Sequence, residues 1–193
     1  RRRRGAAGHK ALTLGLIAVS AGEASEAKRQ AVKAQRLLDA PQLTDLLSAQ
    51  AAHLAGDHRA AGRYFESLTR AQDTAFLGHI GLARLAHEGN RLDEALAAAR
   101  RALSLKPKSA MAASQVLHLE AARGNWSDAA PALEVMIAAK ERTGPQNEAP
   151  RDRRRQIVAL AYLQARPFFD GDQKEQTLNK ISEKEAVRQL RLA

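Results

Sequence analysis

Three histidines hold the positions from which this chain could do chemistry. His53 and His87 stand 34 residues apart, and His118 falls one helical turn from the next step of that series. Neutral imidazole is a common ligand, so such a row could grip a bound group, with Arg84 nearby to pair with an acidic substituent. Register alone does not bring ring nitrogens within bonding distance, and the plainer reading is histidines of a groove or surface in a chain that has six. No metal site is assigned to them. No catalytic constellation accompanies them either. There is no Gly-rich phosphate loop, no Gly-x-Ser-x-Gly and no His-Glu-x-x-His. The lack of cysteine removes thiolate nucleophiles, thiolate metal sites and disulfides together. Glu23, Glu26, Glu94 and Asp128 fall near expected helix starts, where a solvated carboxylate favours the positive end of the helix dipole. The expectation is a protein that is not an enzyme.

The elements that must carry these residues announce themselves by period. Ala27, Ala61, Ala95 and Ala129 are separated by 34 residues each time, and Gly22, Gly56, Asn90 and Gly124 keep the same step five residues earlier. A period of this length marks stacked helical hairpins, because one hairpin cannot bury its own apolar face and must pack on a copy of itself. Gly or Asn supplies the left-handed turn that ends a first helix, and the following Ala lets two helices approach closely. Abundant Ala and Leu, 4% aromatics and no convincing β-alternation agree with an all-α chain.

Four such units are expected over 8–141. The first pairs helices near 8–21 and 24–38, with Leu14, Gly15 and Ala18 facing Ala27, Ala31 and Ala34. The second, 42–72, has Phe65 as its largest core anchor. The third, 75–106, stops at Pro107, which cannot continue a helix. The fourth, 109–141, carries Trp126 as a hairpin-packing residue and Pro131 near the start of its second helix, where a missing amide costs least. A linker follows over 142–151, and 152–193 reads as a partial fifth repeat with a charged helical tail. In stacked hairpins the first helices line the concave face. By register the inward positions are Leu12, Leu16, Val19, Leu43, Leu46, Gln50, His53, Leu77, Ile80, Arg84, His87, Met111, Ser114 and His118, an apolar groove with a few polar points that suits a partner's peptide.

The net charge of +10 raises the question of nucleic acid. Residues 1–10 contribute +5 and residues 151–155 contribute +3, so the remaining body is near balance, with no basic stripe and no interleaved aromatics for base stacking. Nucleic-acid binding is not expected. The basic start followed by the apolar run Ala11–Ala21 resembles a secretory signal, yet that run keeps the register of the later repeats, which favours a first-repeat helix. It is also too short to span a bilayer, which takes about 20 residues.

The 34-residue period resembles the tetratricopeptide repeat over 8–141. A narrower likeness rests on "ALTLGLIAVSAGEASEA", "PQLTDLLSAQAAHLAGDHRAA", "FLGHIGLARLAHEGN", "ALSLKPKS", "GNWSDA" and "RDRRRQIVALAYLQA" in this order. Together these are similar to the amino-terminal half of the HemY family of alphaproteobacteria. The resemblance implies a tetratricopeptide superhelix, or α-solenoid, facing the cytoplasm from the bacterial inner membrane. Two membrane helices would precede this chain, and residues 1–7 would be their basic juxtamembrane flank. It further implies a non-catalytic scaffold for other proteins, among them haem-biosynthesis enzymes, in late haem synthesis. The alternatives are a carrier that holds haem or a porphyrin by His53 and His87 as axial ligands, and a periplasmic repeat protein of envelope assembly if the amino end is a signal.

Overall fold

The computed structural model describes residues 2–143. Every element among them is an α-helix: α1 (Arg2–Ala21), α2 (Ala24–Leu37), α3 (Pro41–Leu54), α4 (His58–Thr69), α5 (Gln72–Glu88), α6 (Leu92–Leu105), α7 (Ala110–Ala122) and α8 (Trp126–Thr143). α1 begins at Arg2, so the basic lead is helical and continuous with the first hairpin. α8 runs on through Thr143. The rest of the expected linker and the whole of 152–193 lie outside the described residues, as does the side chain of Trp126.

Four turns share one hydrogen-bonding pattern. The amides of Glu23, Asp57, Arg91 and Asn125 donate to the carbonyls five residues back, Ala18, Ala52, Ala86 and Glu120, at 2.8–2.9 Å. The residue before each of these donates to the carbonyl three residues back. This is the six-to-one and five-to-two pair of a Schellman cap. It needs a left-handed residue, and Gly22, Gly56 and Gly124 have φ of 77°, 74° and 73°, while Asn90 has φ of 54°. A Cβ at the three glycines would meet nothing within 4 Å, so backbone conformation rather than space selects glycine there.

Each turn delivers the chain to a second helix with a buried stripe, spaced alike on α2, α4 and α6. Ala27, Ala31 and Ala34 on α2 are answered by Ala61, Phe65 and Leu68 on α4 and by Ala95, Ala99 and Ala102 on α6. On α8 the stripe is Ala129, Leu133 and Ile137, with Met136 only half-buried. The alanine after each turn is 0%, 0%, 0% and 1% exposed in chain order, which is the close approach that its small side chain permits.

The described chain forms two compact units that divide within α6, between Ala98 and Ala99. In the first, α1 packs on α2, both pack on α3, and α3 and α5 each pack on α4. Its core includes two clusters. Ala11, Ala18, Ala27, Ala31, Ala34, Leu47 and Ala51 form one; Ala49, Ala52, Ala61, Phe65, Leu68 and Leu85 form the other. In the first Leu47 lies against Gly15, and in the second Phe65 lies against Gly81, where an added methyl would overlap the aromatic ring. Ala11 takes the inward place that the spacing assigns to Leu14, which is 39% exposed.

In the second unit α7 packs on α8 and buries a charge. Glu120 is 0% exposed at the register position that Ala18, Ala52 and Ala86 fill in the earlier repeats. Its carboxylate accepts from Arg100 and, at 3.3 Å, from the Asn125 side-chain amide, while Arg100 also reaches Asp128 at 3.2 Å. Asp128, exposed and in the first turn of α8 as expected, is thus also an ion-pair partner. Glu94 likewise pairs with Arg91, and Glu26 with Arg29 and Gln30. Glu23 makes no side-chain cap. Side-chain caps do form from Asp57 to the Ala60 amide and from Ser109 to the Ala112 amide. Pro131 lies six residues into α8, beyond the four amides that lack intrahelical acceptors, so it removes a helical hydrogen bond instead of falling where the loss is free.

Two stability measurements follow from these arrangements. Asn90→Gly is expected to raise the urea midpoint by the equivalent of roughly 0.5–1 kcal/mol, and Gly56→Ala to lower it by about 1–2 kcal/mol; a loss on Asn90→Gly would contradict the turn assignment. Arg100→Met is expected to cost roughly 2 kcal/mol by leaving the Glu120 carboxylate short of a partner. Arg100→Met combined with Glu120→Leu should recover most of that loss, which a double-mutant cycle reads directly.

Candidate functional site

The groove positions expected from register all lie on first helices of hairpins, and none of them is buried. In the first unit Leu16 and Leu43 are exposed, at 43% and 50%. Leu12 and Val19 are half-buried and pack against the rim of the first core part, as Leu46 does against the second. Gln50, His53, Leu77, Ile80 and His87 are half-buried, and Arg84 is exposed. In the second unit Met111 is 58% exposed, with Ser114 and His118 half-buried. The helices are held by their neighbouring small residues, Gly15, Ala18, Ala49, Ala52, Ala83 and Ala86, all buried. The larger side chains at the register positions are therefore left partly accessible.

A tighter grouping lies at the turn end of the first unit. The last turn of α3 carries His53, the Gly56 turn returns the chain to His58 at the first position of α4, and α5 ends on Glu88. The Nε2 of His53 lies 3.5 Å from one Glu88 carboxylate oxygen, and the Nδ1 of His58 lies 3.8 Å from the other. The two imidazoles meet edge to face, with ring centres 6.2 Å apart and planes at 66°. His53 Nδ1 is buried without a hydrogen-bond partner. Burial, reinforced by the Arg84 charge, holds the His53 imidazole below its ordinary pKa against the opposing pull of Glu88. Neutral imidazole is thereby the favoured form.

Beside this group opens a cleft of about 490 Å³, bounded by α4, α5 and the start of α6. Its walls include His58, Glu66, Glu88, Arg91 and Glu94 with apolar Leu82, Leu85 and Ala98. Gly62 and Gly89 contribute bare backbone to the lining. Three carboxylates against one guanidinium make the cleft acidic, and Arg91 is already engaged with Glu94 at 3.0 Å.

Register singled out His53 but grouped it with His87 and His118, whereas the structure brings it to His58 and Glu88. The signal for His58 was its place straight after the capping Asp57, one turn-length from His53. Nothing in the period marks Glu88, because the corresponding earlier positions are Ser20 and Leu54. Glu120 carried a readable signal, a charge in a series of alanines, that pointed to a buried ion pair rather than to a site.

Among the described residues no helix is long and apolar enough to cross a membrane. No curated protein matches the chain. Residues 1–56 match the family model described as the HemY protein N-terminus, a span that takes in α1, α2, α3 and the Gly56 turn. That match makes residues 1–56 similar to the amino terminus of the HemY family, and the described residues, all of whose elements are helices, are compatible with an α-solenoid of hairpins.

Proposed function

We propose that this chain is a non-catalytic scaffold of tetratricopeptide type that binds other proteins in late haem biosynthesis, from the cytoplasmic side of a bacterial inner membrane. The observation that carries the reading is the accessibility of Leu43 and Leu77, which stand one 34-residue step apart within the first unit and stay out of the core at both positions. Apolar side chains left accessible one repeat apart, on helices held by buried small residues together with Leu47, Phe76 and Leu85, suit an extended or helical peptide whose apolar residues dock between them. The family match over residues 1–56 supports the link to haem synthesis.

A photo-crosslinking residue placed at Leu77 is expected to capture a haem-synthesis enzyme, while the same residue at exposed Ala97 on α6 captures none. Leu43→Glu and Leu77→Glu are each expected to weaken that complex roughly tenfold or more with the unfolding midpoint unchanged. Equal capture from both positions would overturn the assignment. A saturable one-to-one Soret shift with haem, lost in the His53→Ala/His87→Ala double variant, would replace the scaffold by the carrier.

A further inference from the structure

We infer that His53, His58 and Glu88 form a binding site for a divalent first-row transition metal ion, with the cleft beside them supplying its open coordination position. The inference does not depend on the scaffold reading, because these residues belong to the turn end of the first unit and include none of the recurring leucines.

Geometry is the first support. One ligand atom from each of the three residues lies within 4.8 Å of the other two. The ligating atoms of a tetrahedral zinc site with bonds of about 2.0–2.1 Å sit roughly 3.3 Å apart. His53 Nε2 lies 3.5 Å from one Glu88 oxygen and His58 Nδ1 3.8 Å from the other, so side-chain rotations that draw the three ligand atoms in from within 4.8 Å would close the set. Two imidazoles and a carboxylate are the donors of three-ligand zinc sites and of the two-histidine, one-carboxylate iron sites, both of which keep open positions.

The surroundings are the second support. His58 and Glu88 both face the cleft, so an ion held there has water or a small anionic ligand as its outer partner. Glu66 and Glu94 on the cleft walls add negative potential toward a cation. Arg84, whose charge is felt at His53, and Arg91 on the wall oppose it. Glu94 offsets Arg91 through their ion pair. The backbone is also set in advance, since the Schellman turn at Gly56 fixes the relation of His53 to His58 whether or not an ion is present. The ion would need to order only side chains.

The test is a zinc titration of the untagged, chelator-washed chain by calorimetry, in competition with a chromophoric chelator. Cobalt(II) serves as the spectroscopic stand-in. Saturable binding of one zinc ion per chain is expected, with visible cobalt bands of the intensity that four-coordinate nitrogen and oxygen donors produce. His58→Ala and Glu88→Gln should each weaken zinc by roughly tenfold or more and abolish those cobalt bands. His58 is 60% exposed on its side chain, so its variant should retain the circular dichroism and unfolding midpoint of the parent. His53→Leu offers a second folding-competent variant, because it removes a ring nitrogen that is buried without a partner. Absence of one-to-one binding in the parent would overturn the site. So would binding that His58→Ala and Glu88→Gln leave equally tight, since it would place the ion on other histidines.

Discussion

The left-handed residue at the end of each first helix is the constraint on which the rest depends. It closes the six-to-one hydrogen bond between the residue after it and the carbonyl five back, and so sets the direction in which the second helix returns. Because the four turns share the pattern, the alanine five residues on arrives at the same depth each time, with no exposure beyond 1%. A residue with a larger side chain at that point would separate the helices, and a right-handed residue at the turn would misdirect them. Turn conformation and side-chain size are therefore one requirement expressed at two positions, and this is why they keep a common step.

A core built chiefly of alanine has a particular energetic character. Each methyl removes little area from water, so cohesion has to come from many close backbone approaches rather than from a few large anchors. The exceptions show how narrow the allowance is. Phe65 has Gly81 opposite it, and Leu47 in the first part of the core has Gly15 opposite it. Glu120 is the second exception. A carboxylate in an alanine slot is retained by Arg100 and Asn125, and their placement reflects which residue stands at the same register in the neighbouring helix and turn. Both exceptions are matched pairs, as expected of an interior packed to crystal-like density.

The same economy leaves side chains available for binding. First helices contact their neighbours mainly through small residues, so the leucines, Met111 and polar groups at the remaining register positions stay partly accessible without a penalty in the core. The ends of the hairpins have a different potential. There the Gly56 turn brings His53 and His58 together, and the end of α5 adds Glu88 from the following repeat. Repetition thus leaves side chains accessible on the first helices, and departures from repetition provide local chemistry at the turns.

How much was legible from the residues follows from whether a property is periodic. The all-α class, the four turns, the buried alanines and the helix bounds near Pro107 could be read because left-handed turns and close approaches admit few residue types, and recurrence at 34 residues separates them from chance. Exposure of Leu14, the depth of Pro131 within α8 and the fate of the carboxylates expected as caps were not legible, since each turns on about one residue of helix start or on a contact with another helix. The grouping of His53 with His58 and Glu88 lay further out of reach. Spacing within one helix face says which residues share a side, but it cannot say which side chain from the next hairpin arrives there. The sequence by itself determined the period and the conformation of each turn, because these are local steric choices. Only the tertiary structure decided which charges and ring nitrogens meet, because packing one hairpin against the next sets those distances.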